Sequence, residues 1–149
     1  MTAEETLSQI AKDVSVCVNC ALHEGRKKSV PGDGPATAEI MFIGEGPGFH
    51  ENEQGHPFVG AAGKFLDQLL AQAGVTRADV FIANVVKCRP PGNRDPLPDE
   101  LEACDVHLEA QIKTINPSII VTLGRFSMNK FIPAAKISAI HGELRKVGD

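Results

Sequence analysis

The sequence has no tryptophan and no tyrosine, so its seven phenylalanines are its only large aromatic residues. It also has no apolar run close to the roughly twenty residues that a membrane-spanning helix needs. Its N-terminus, M-T-A-E-E-T-L, does not resemble a secretory signal peptide. These absences argue against a membrane or secreted protein, and we expect an intracellular, cytoplasmic protein of prokaryotic type.

An excess of positive charge is missing as well, since the net charge is −4 at pH 7. This excludes a uniformly basic, nucleic-acid-coating surface, but it leaves room for local basic patches. Each patch is either a solvated face or a contact for phosphate groups. The basic residues cluster at Arg26, Lys27 and Lys28, at Lys87, Arg89 and Arg94, and at Arg145 and Lys146.

Apolar runs at 38–44, 80–86 and 118–123 predict three buried strands. Helical spacing of apolar residues predicts helices over 4–13 and 61–73, and a third from Asp99 to the stop signal Asn116-Pro117. Buried strands that alternate with helices are typical of a parallel sheet covered on both faces. The sequence therefore predicts one three-layer α/β/α domain, in which the alternation leads us to expect a further strand and helix after residue 142.

The glycine-rich segment 43–67 holds six of the fourteen glycines and two of the ten prolines. We expect its prolines to prevent regular structure and its glycines to let the backbone approach a ligand closely. A phosphate-binding loop is disfavoured, because no Gly-Lys-Ser/Thr follows and the glycines lack the dinucleotide spacing. The segment follows a predicted strand, where parallel sheets place their sites.

The four cysteines fall in or beside irregular segments. Cys17 and Cys20 form a Cys-x-x-Cys, Cys88 lies in a proline-rich loop, and Cys104 lies in the next helix. In a reducing compartment such residues are metal ligands or free thiols more often than disulfides. Zinc and iron–sulfur clusters both accept four thiolates, and the wide separation of Cys88 from Cys104 favours a cubane cluster. The alternative for Cys104 is a small buried apolar residue.

Together these motifs resemble the family 4 uracil-DNA glycosylases, the iron–sulfur enzymes of thermostable type. The resemblance covers nearly the whole chain and rests on G-E-G-P-G-F-H-E at 44–51, G-H-P-F-V-G-A-A-G at 55–63, N-V-V-K-C-R-P-P-G-N-R-D-P at 84–96, and the four cysteines. It implies a four-stranded parallel sheet flanked by helices and a 4Fe-4S cluster on Cys17, Cys20, Cys88 and Cys104. It also implies hydrolysis of the N-glycosidic bond of uracil in DNA, which initiates base excision repair.

The same resemblance assigns roles to single residues. It implies that Gly44, Glu45 and Gly46 lie against uracil O2, that Phe58 stacks on the ring, and that Asn84 bonds the edge carrying N3 and O4. Pro57 and Val59 would shape the pocket wall. Glu45 is the candidate catalytic residue, for electrostatic support or water placement, because Gly46 stands where related enzymes carry an aspartate. DNA contacts would come from Lys87, Arg89 and Arg94, with Arg26, Lys27 and Lys28.

Each of these residues also has a structural interpretation. Asn84 could satisfy the end of a strand, Phe58 could anchor a loop, and Glu45 and Glu51 could be surface carboxylates or caps of the helix region at Ala61.

The chain departs from this family at its C-terminal end, where it has no His-Pro-Ser motif. In the family, the histidine of that motif bonds uracil O2. We therefore expect residues 1–149 to be a single glycosylase-like domain truncated at its C-terminus, acting as a monomer on single- or double-stranded DNA that contains uracil. The alternative is a catalytically weak or inactive iron–sulfur module that binds uracil or DNA.

Overall fold

The computed structural model describes residues 1–147, in which a parallel sheet is enclosed by helices. Short 3₁₀ turns lie at Ala21–Gly25, Arg77–Asp79 and Pro91–Asn93. None of the described helices is both long enough and apolar enough to cross a membrane. The strands are β1 (Ile40–Gly44), β2 (Phe81–Asn84) and β3 (Ile119–Thr122), and the helices are α1 (Ala3–Ser15), α2 (Phe49–Gln54), α3 (Ala61–Gln72), α4 (Pro98–Ile115), α5 (Arg125–Phe131) and α6 (Ile137–Ile140).

The sheet has the strand order β2-β1-β3, and both pairings are parallel. Because side chains alternate along a strand, its two faces bury different residues. Met41 and Ile43 pack with Leu108 of α4, whereas Ile82 packs with Leu66 of α3 on the other face. The predicted three-layer α/β/α architecture is confirmed, and residues 1–147 contain three strands of the expected sheet.

Helix α2 corrects the prediction that the glycine-rich segment is irregular throughout. It fits between the two prolines of the segment, Pro47 and Pro57, and therefore loses no internal hydrogen bond to either. The carboxylate of Glu51 accepts a bond from the Gly48 amide at its start (2.9 Å). Gly55 ends the helix with a left-handed φ of 81°, a conformation that glycine adopts without strain.

Strand β3 is more exposed than the sequence predicts. Its apolar run indicates a buried strand, but Ile119 is 48% exposed and the rest of the strand is only half-buried. The reason is its position, because in the described residues β3 pairs only with β1 and forms an edge of the sheet.

Candidate functional site

The carboxyl ends of β1 and β2 bring two of the predicted site residues side by side. Gly44 ends β1 and lies opposite Asn84, which ends β2. The pairing continues into the loops, since the amides of Val85 and Val86 donate to the carbonyls of Gly44 (3.0 Å) and Glu45 (3.2 Å). The backbone on both sides of this point is therefore fixed by the sheet.

Phe58 packs against these two residues. A Cβ built on Gly44 would lie 2.5 Å from Asn84 Oδ1 and 2.6 Å from Phe58 Cζ, so the three groups converge on one point. Asn84 is 2% exposed, and within the described part of the chain its Oδ1 accepts no hydrogen bond. A buried oxygen without a donor costs about 1–3 kcal/mol. A buried oxygen without a donor, at the end of a strand and beside an aromatic ring, is typical of a ligand-binding site.

The backbone of Phe58 is held in a strained conformation. Its φ of 52° is left-handed, which is rare for an aromatic residue. Arg77 stabilises this turn, because its guanidinium donates to the carbonyls of Pro57 (3.0 Å) and Phe58. Gly63 is equally necessary, since a Cβ there would lie 1.8 Å from the Phe58 carbonyl oxygen. The local sequence does not mark Arg77 as part of the site, because Arg77 acts on a residue nineteen positions earlier. Gly63 belongs to the motif at 55–63, but only the structure shows that it makes room for the Phe58 carbonyl.

Glu51 joins the two arms of the glycine-rich segment. Besides the Gly48 amide, its carboxylate accepts bonds from the amides of Val59 and Gly60, each at 2.9 Å. Burial alone would raise the pKa of Glu51, but the hydrogen bonds from these amides outweigh burial and hold the pKa below its usual value. The proposed role as a cap is therefore correct but incomplete, since Glu51 also fixes residues 59 and 60 beside Phe58.

Replacement of Glu51 by glutamine is expected to lower the free energy of unfolding by about 1–2 kcal/mol at pH 7, because charged acceptors make stronger bonds than an amide. A carboxylate with a depressed folded pKa stabilises fully above its unfolded pKa, near 4.3, and loses this contribution as the pH falls through the folded value. The melting-temperature difference between wild type and Glu51→Gln should therefore shrink at acid pH. Glu53→Gln, which alters an exposed ion pair with Lys27, is the control. A difference that does not change with pH would contradict this role.

Glu45 lies in a charged cluster formed by the loops after all three strands. Its carboxyl group faces that of Asp95, in the loop after β2. Asp95 in turn pairs with Arg125, the first residue of α5, and a Cβ on Gly124 would lie 4.0 Å from Glu45 Oε2. Burial raises the pKa of Glu45, the Asp95 carboxylate raises it further, and Arg125 acts in the opposite direction. Asp95 and Arg125 are absent from the predicted site, because the sequence does not show which residues of different loops come together in space.

If ionised Glu45 supports the reaction, Asp95 and Arg125 control the pH dependence in opposite directions. Asp95→Asn removes the carboxylate that raises the pKa of Glu45, so the acidic limb of activity is expected to move to lower pH. Arg125→Gln removes the opposing charge, so the limb is expected to move to higher pH. The measurement is single-turnover rate against pH for the three proteins. Shifts in the same direction would show that the limb belongs to another group.

All four cysteines line one narrow pocket between the N-terminal segment, the loop after β2 and α4. All four are free thiols. Burial raises the pKa of Cys20 and of Cys88, and it raises the pKa of Cys104 to about 11. Arg26 acts against this at Cys88, because its guanidinium lies 3.6 Å from the sulfur. Such thiols need a strong Lewis acid or nearby cations to ionise.

The donor set suits a cluster better than a single ion. Within residues 1–147, no three acidic, histidine or cysteine side chains lie close enough together to hold one metal ion. The four sulfurs nevertheless face a common space, and a cubane cluster takes its ligands from separate irons. His107 also faces this pocket, with Nε2 3.3 Å from Cys17 Sγ, and burial lowers its pKa.

The predicted DNA contacts do not all lie on the surface. Lys87 is 1% exposed, and its ammonium group donates to the Asn84 carbonyl (2.9 Å) and to Gln111 Oε1 (2.7 Å). Burial lowers the pKa of Lys87 to about 8, against the effect of Cys104. A group enclosed in this way has no access to a phosphate, so the prediction that Lys87 contacts DNA conflicts with its placement. The sequence could not reveal this, because lysine is rarely buried.

The other basic residues are more accessible. Arg89 is half-buried and lies over the exposed ring of Phe49, 5.6 Å from its centroid. Arg94 makes a two-bond contact with the Glu100 carboxylate, at 2.7 and 2.8 Å. Arg26 donates to the Cys17 carbonyl (2.7 Å), and Lys27 pairs with Glu53. Arg89 and residues 26–28 therefore flank the cysteine pocket and the rim of α2.

Comparisons with known proteins show what the chain is similar to. The model of the uracil DNA glycosylase superfamily matches residues 31–147. The chain is 46% identical over 148 residues to the type-4 uracil-DNA glycosylase of Archaeoglobus fulgidus, an alignment that covers 96% of this chain and 74% of that protein. It is 47% identical over 137 residues to the enzyme of the same name from Thermotoga maritima (92% and 71% covered). For that of Saccharolobus solfataricus the identity is 54% over 124 residues (83% and 57% covered).

Proposed function

The chain belongs to the type-4 uracil-DNA glycosylases of the uracil-DNA glycosylase superfamily, and from this we propose that the pocket between Gly44, Phe58 and Asn84 receives a uracil flipped out of DNA. The observation that carries the proposal is the buried Oδ1 of Asn84, which has no donor among the described residues. Uracil N3–H is such a donor. Flipped bases are generally read by bonds to this edge and by stacking, and the Phe58 ring lies beside Asn84 for the second purpose.

The same pocket explains discrimination against cytosine. Cytosine N3 is an acceptor and its N4 group is a donor, so an asparagine amide oriented to read uracil would lose both bonds. Each unmade bond to a buried group costs about 1–3 kcal/mol. In this proposal the amides of residues 44–46 face uracil O2, while Pro57 and Val59 close the wall beside the ring.

The proposed reaction breaks the bond between C1′ of the sugar and N1 of uracil. The bonding electrons leave with uracil, and a water adds to C1′ and loses a proton, leaving an abasic site. Donors aimed at O2 stabilise the negative charge that develops on the base. Glu45 is proposed to hold the water or to stabilise the positive charge on the sugar. Asp95 and Arg125 act on the pKa of this carboxyl group in opposite directions.

A second candidate is an iron–sulfur module that binds uracil or DNA and excises the base slowly or not at all. Asn84 and Phe58 would contact uracil in the same way in both cases, so the two candidates differ only in turnover.

An oligonucleotide assay separates these candidates. The full chain is incubated with a single uracil placed in single-stranded DNA, opposite guanine or opposite adenine, and abasic sites are revealed by alkaline cleavage. Excision of uracil but not of cytosine supports the glycosylase. Binding that is tighter for uracil-containing DNA, without cleavage, supports the module. A result that shows no cleavage and no preferential binding would contradict both candidates.

We also propose that Cys17, Cys20, Cys88 and Cys104 hold a 4Fe-4S cluster. Two cations support this, because Arg26 and the buried Lys87 lie beside sulfurs that must be deprotonated to bind iron. When bound, the cluster would cross-link the N-terminal segment, the loop after β2 and α4. We expect iron and acid-labile sulfide in a ratio near one, together with broad visible absorbance. Cys104→Ser should abolish this absorbance. A colourless protein that contains zinc would overturn the assignment.

Contact with the DNA backbone is proposed for Arg89, Arg94 and residues 26–28, with the protein acting as a monomer inside the cell. The net charge of −4 makes such local contacts decisive for affinity. Each phosphate contact adds about one to the slope of log affinity against log salt concentration. Arg89→Ala should therefore lower the slope by about one for DNA with or without uracil. An unchanged slope would place the contact elsewhere.

A further inference from the structure

Lys87 is the buried group that the proposed reaction does not use. Its side chain is entirely enclosed, and among the described residues its ammonium bonds a main-chain carbonyl and an amide oxygen but no carboxylate. Burying an ammonium group is expensive, and a long apolar side chain at such a position is often as stable or more so. The charge lies beside the Cys104 sulfur, but the bond from the ammonium group to a main-chain carbonyl is a second task that an apolar residue could not perform.

The carbonyl that Lys87 bonds belongs to Asn84. Since β2 is an edge of the sheet, alternate peptide groups face away from β1. At Ile82 these outward groups exchange two bonds with Asp33, at 3.0 and 2.8 Å. At Asn84, two residues on, the outward carbonyl is bonded by Lys87 Nζ instead (2.9 Å). Lys87 Nζ thus supplies the hydrogen bond that a further strand would otherwise donate to the carbonyl of Asn84, the residue whose side chain is proposed to read the base.

Lys87 is itself held on several sides. Gln111 of α4, 2% exposed, accepts from its ammonium (2.7 Å) and donates to the Pro31 carbonyl (2.6 Å). The Lys87 carbonyl accepts from the Val30 amide (2.7 Å), and the Lys87 amide lies 3.3 Å from Cys104 Sγ. The end of β2 is therefore tied both to α4 and to the wall of the cysteine pocket.

From these contacts we infer that Lys87, supported by Gln111, is a positioning residue for uracil recognition. It fixes the peptide of Asn84 so that the side-chain amide faces the pocket, and it ties this orientation to α4, which carries Cys104. The inference rests on the proposed function of the Asn84 pocket. Lys87 does not touch the substrate. Its effect is expected on uracil affinity and on the chemical step, and not on binding of the DNA backbone.

The main test uses Lys87→Met, which keeps the length of the side chain and removes its donors. Affinity for free uracil, measured by isothermal titration, and the single-turnover rate with uracil DNA are each expected to fall about 10- to 100-fold, the effect of losing one charge-assisted hydrogen bond. The concentration of DNA at half-maximal rate is expected to stay the same. Visible absorbance and iron content report whether the cysteine pocket is intact.

Lys130→Met is the matched control. Lys130 is also largely buried and makes two ion pairs, with Asp105 and Glu109, so its loss is expected to lower the melting temperature without changing uracil affinity. If Lys87→Met behaves in the same way, Lys87 is merely structural and the inference fails. If Lys87→Met does not fold, Gln111→Leu decides, because it removes the acceptor that holds the Lys87 ammonium group at the Asn84 carbonyl. A loss of uracil affinity of a few-fold supports the inference, and unchanged affinity overturns it.

These outcomes are separable from failure of the proposed function. If the wild-type chain neither excises nor binds uracil, the proposed pocket itself is wrong. If the wild-type chain binds uracil and the Lys87 variant binds it equally well, only the positioning role is wrong.

Discussion

Asn84→Asp is expected to lower uracil excision at least about 100-fold while the protein remains folded. The amide is proposed to make two bonds to uracil, and aspartate loses the one that is donated to O4. The loss of this bond, about 1–3 kcal/mol, and the desolvation of a buried carboxylate together account for a factor of this size. A carboxylate has no N–H to donate to O4, and ionising it at a site that is 2% exposed adds a desolvation cost. The measurement is the single-turnover rate on single-stranded uracil DNA at pH 7, with circular dichroism to verify folding.

The base specificity of this variant gives a second readout. A protonated aspartic acid at position 84 offers an O–H that cytosine N3 can accept, so the ratio of uracil to cytosine excision is expected to fall. Asn116→Asp is the matched control, since Asn116 ends α4 at the opposite end of the strands and its replacement should leave the rate unchanged. An Asn84→Asp protein that excises uracil at the wild-type rate would show that Asn84 does not read the base.

The architecture could be predicted because its signals are local. The helix that starts near Asp99 ends at Asn116, as its Asn-Pro signal predicts, and the structure shows Asn116 in the left-handed conformation that such a stop requires (φ 50°). The apolar runs give β1, β2 and β3 in order. The convergence of Gly44, Phe58 and Asn84 also agrees with expectation, because the carboxyl ends of adjacent parallel strands share one edge. The roles assigned to these residues in uracil recognition stay predictions.

The features that the sequence could not reveal depend on contacts between residues that are far apart in the chain. The burial of Lys87 follows from Gln111, which lies on α4 and carries no sequence signal of its own. Arg77 supports Phe58 from a turn nineteen positions later. Glu51 is indistinguishable in sequence from a surface carboxylate until three amides are seen to surround it. In each case a polar side chain stabilises a main-chain conformation, and main-chain partners leave no trace in composition or periodicity.

Gly44→Ala is the second change with a large expected effect, and it isolates the space of the pocket from its chemistry. Gly44 is a strand residue and is not among the glycines with positive φ, so alanine is compatible with its backbone. The added methyl group would instead lie 2.5 Å from Asn84 Oδ1 and 2.6 Å from Phe58 Cζ. One of these groups must move, and a displacement of about 1 Å at a reacting site can cost about 100-fold in rate.

Because neither Asn84 nor Phe58 is replaced in this variant, its defect comes either from their displacement or from the methyl group occupying the space proposed for the base. Excision is therefore expected to fall about 100-fold or more, with a smaller effect on the melting temperature than Gly63→Ala, whose Cβ would overlap the main chain of Phe58. Gly25→Ala is the control, since nothing lies within 4 Å of a Cβ at Gly25, and it should retain both rate and stability. A Gly44→Ala protein with the wild-type rate would mean that the base binds away from the junction of β1 and β2. The unbonded oxygen of Asn84 would then have a structural cause and no role in recognition.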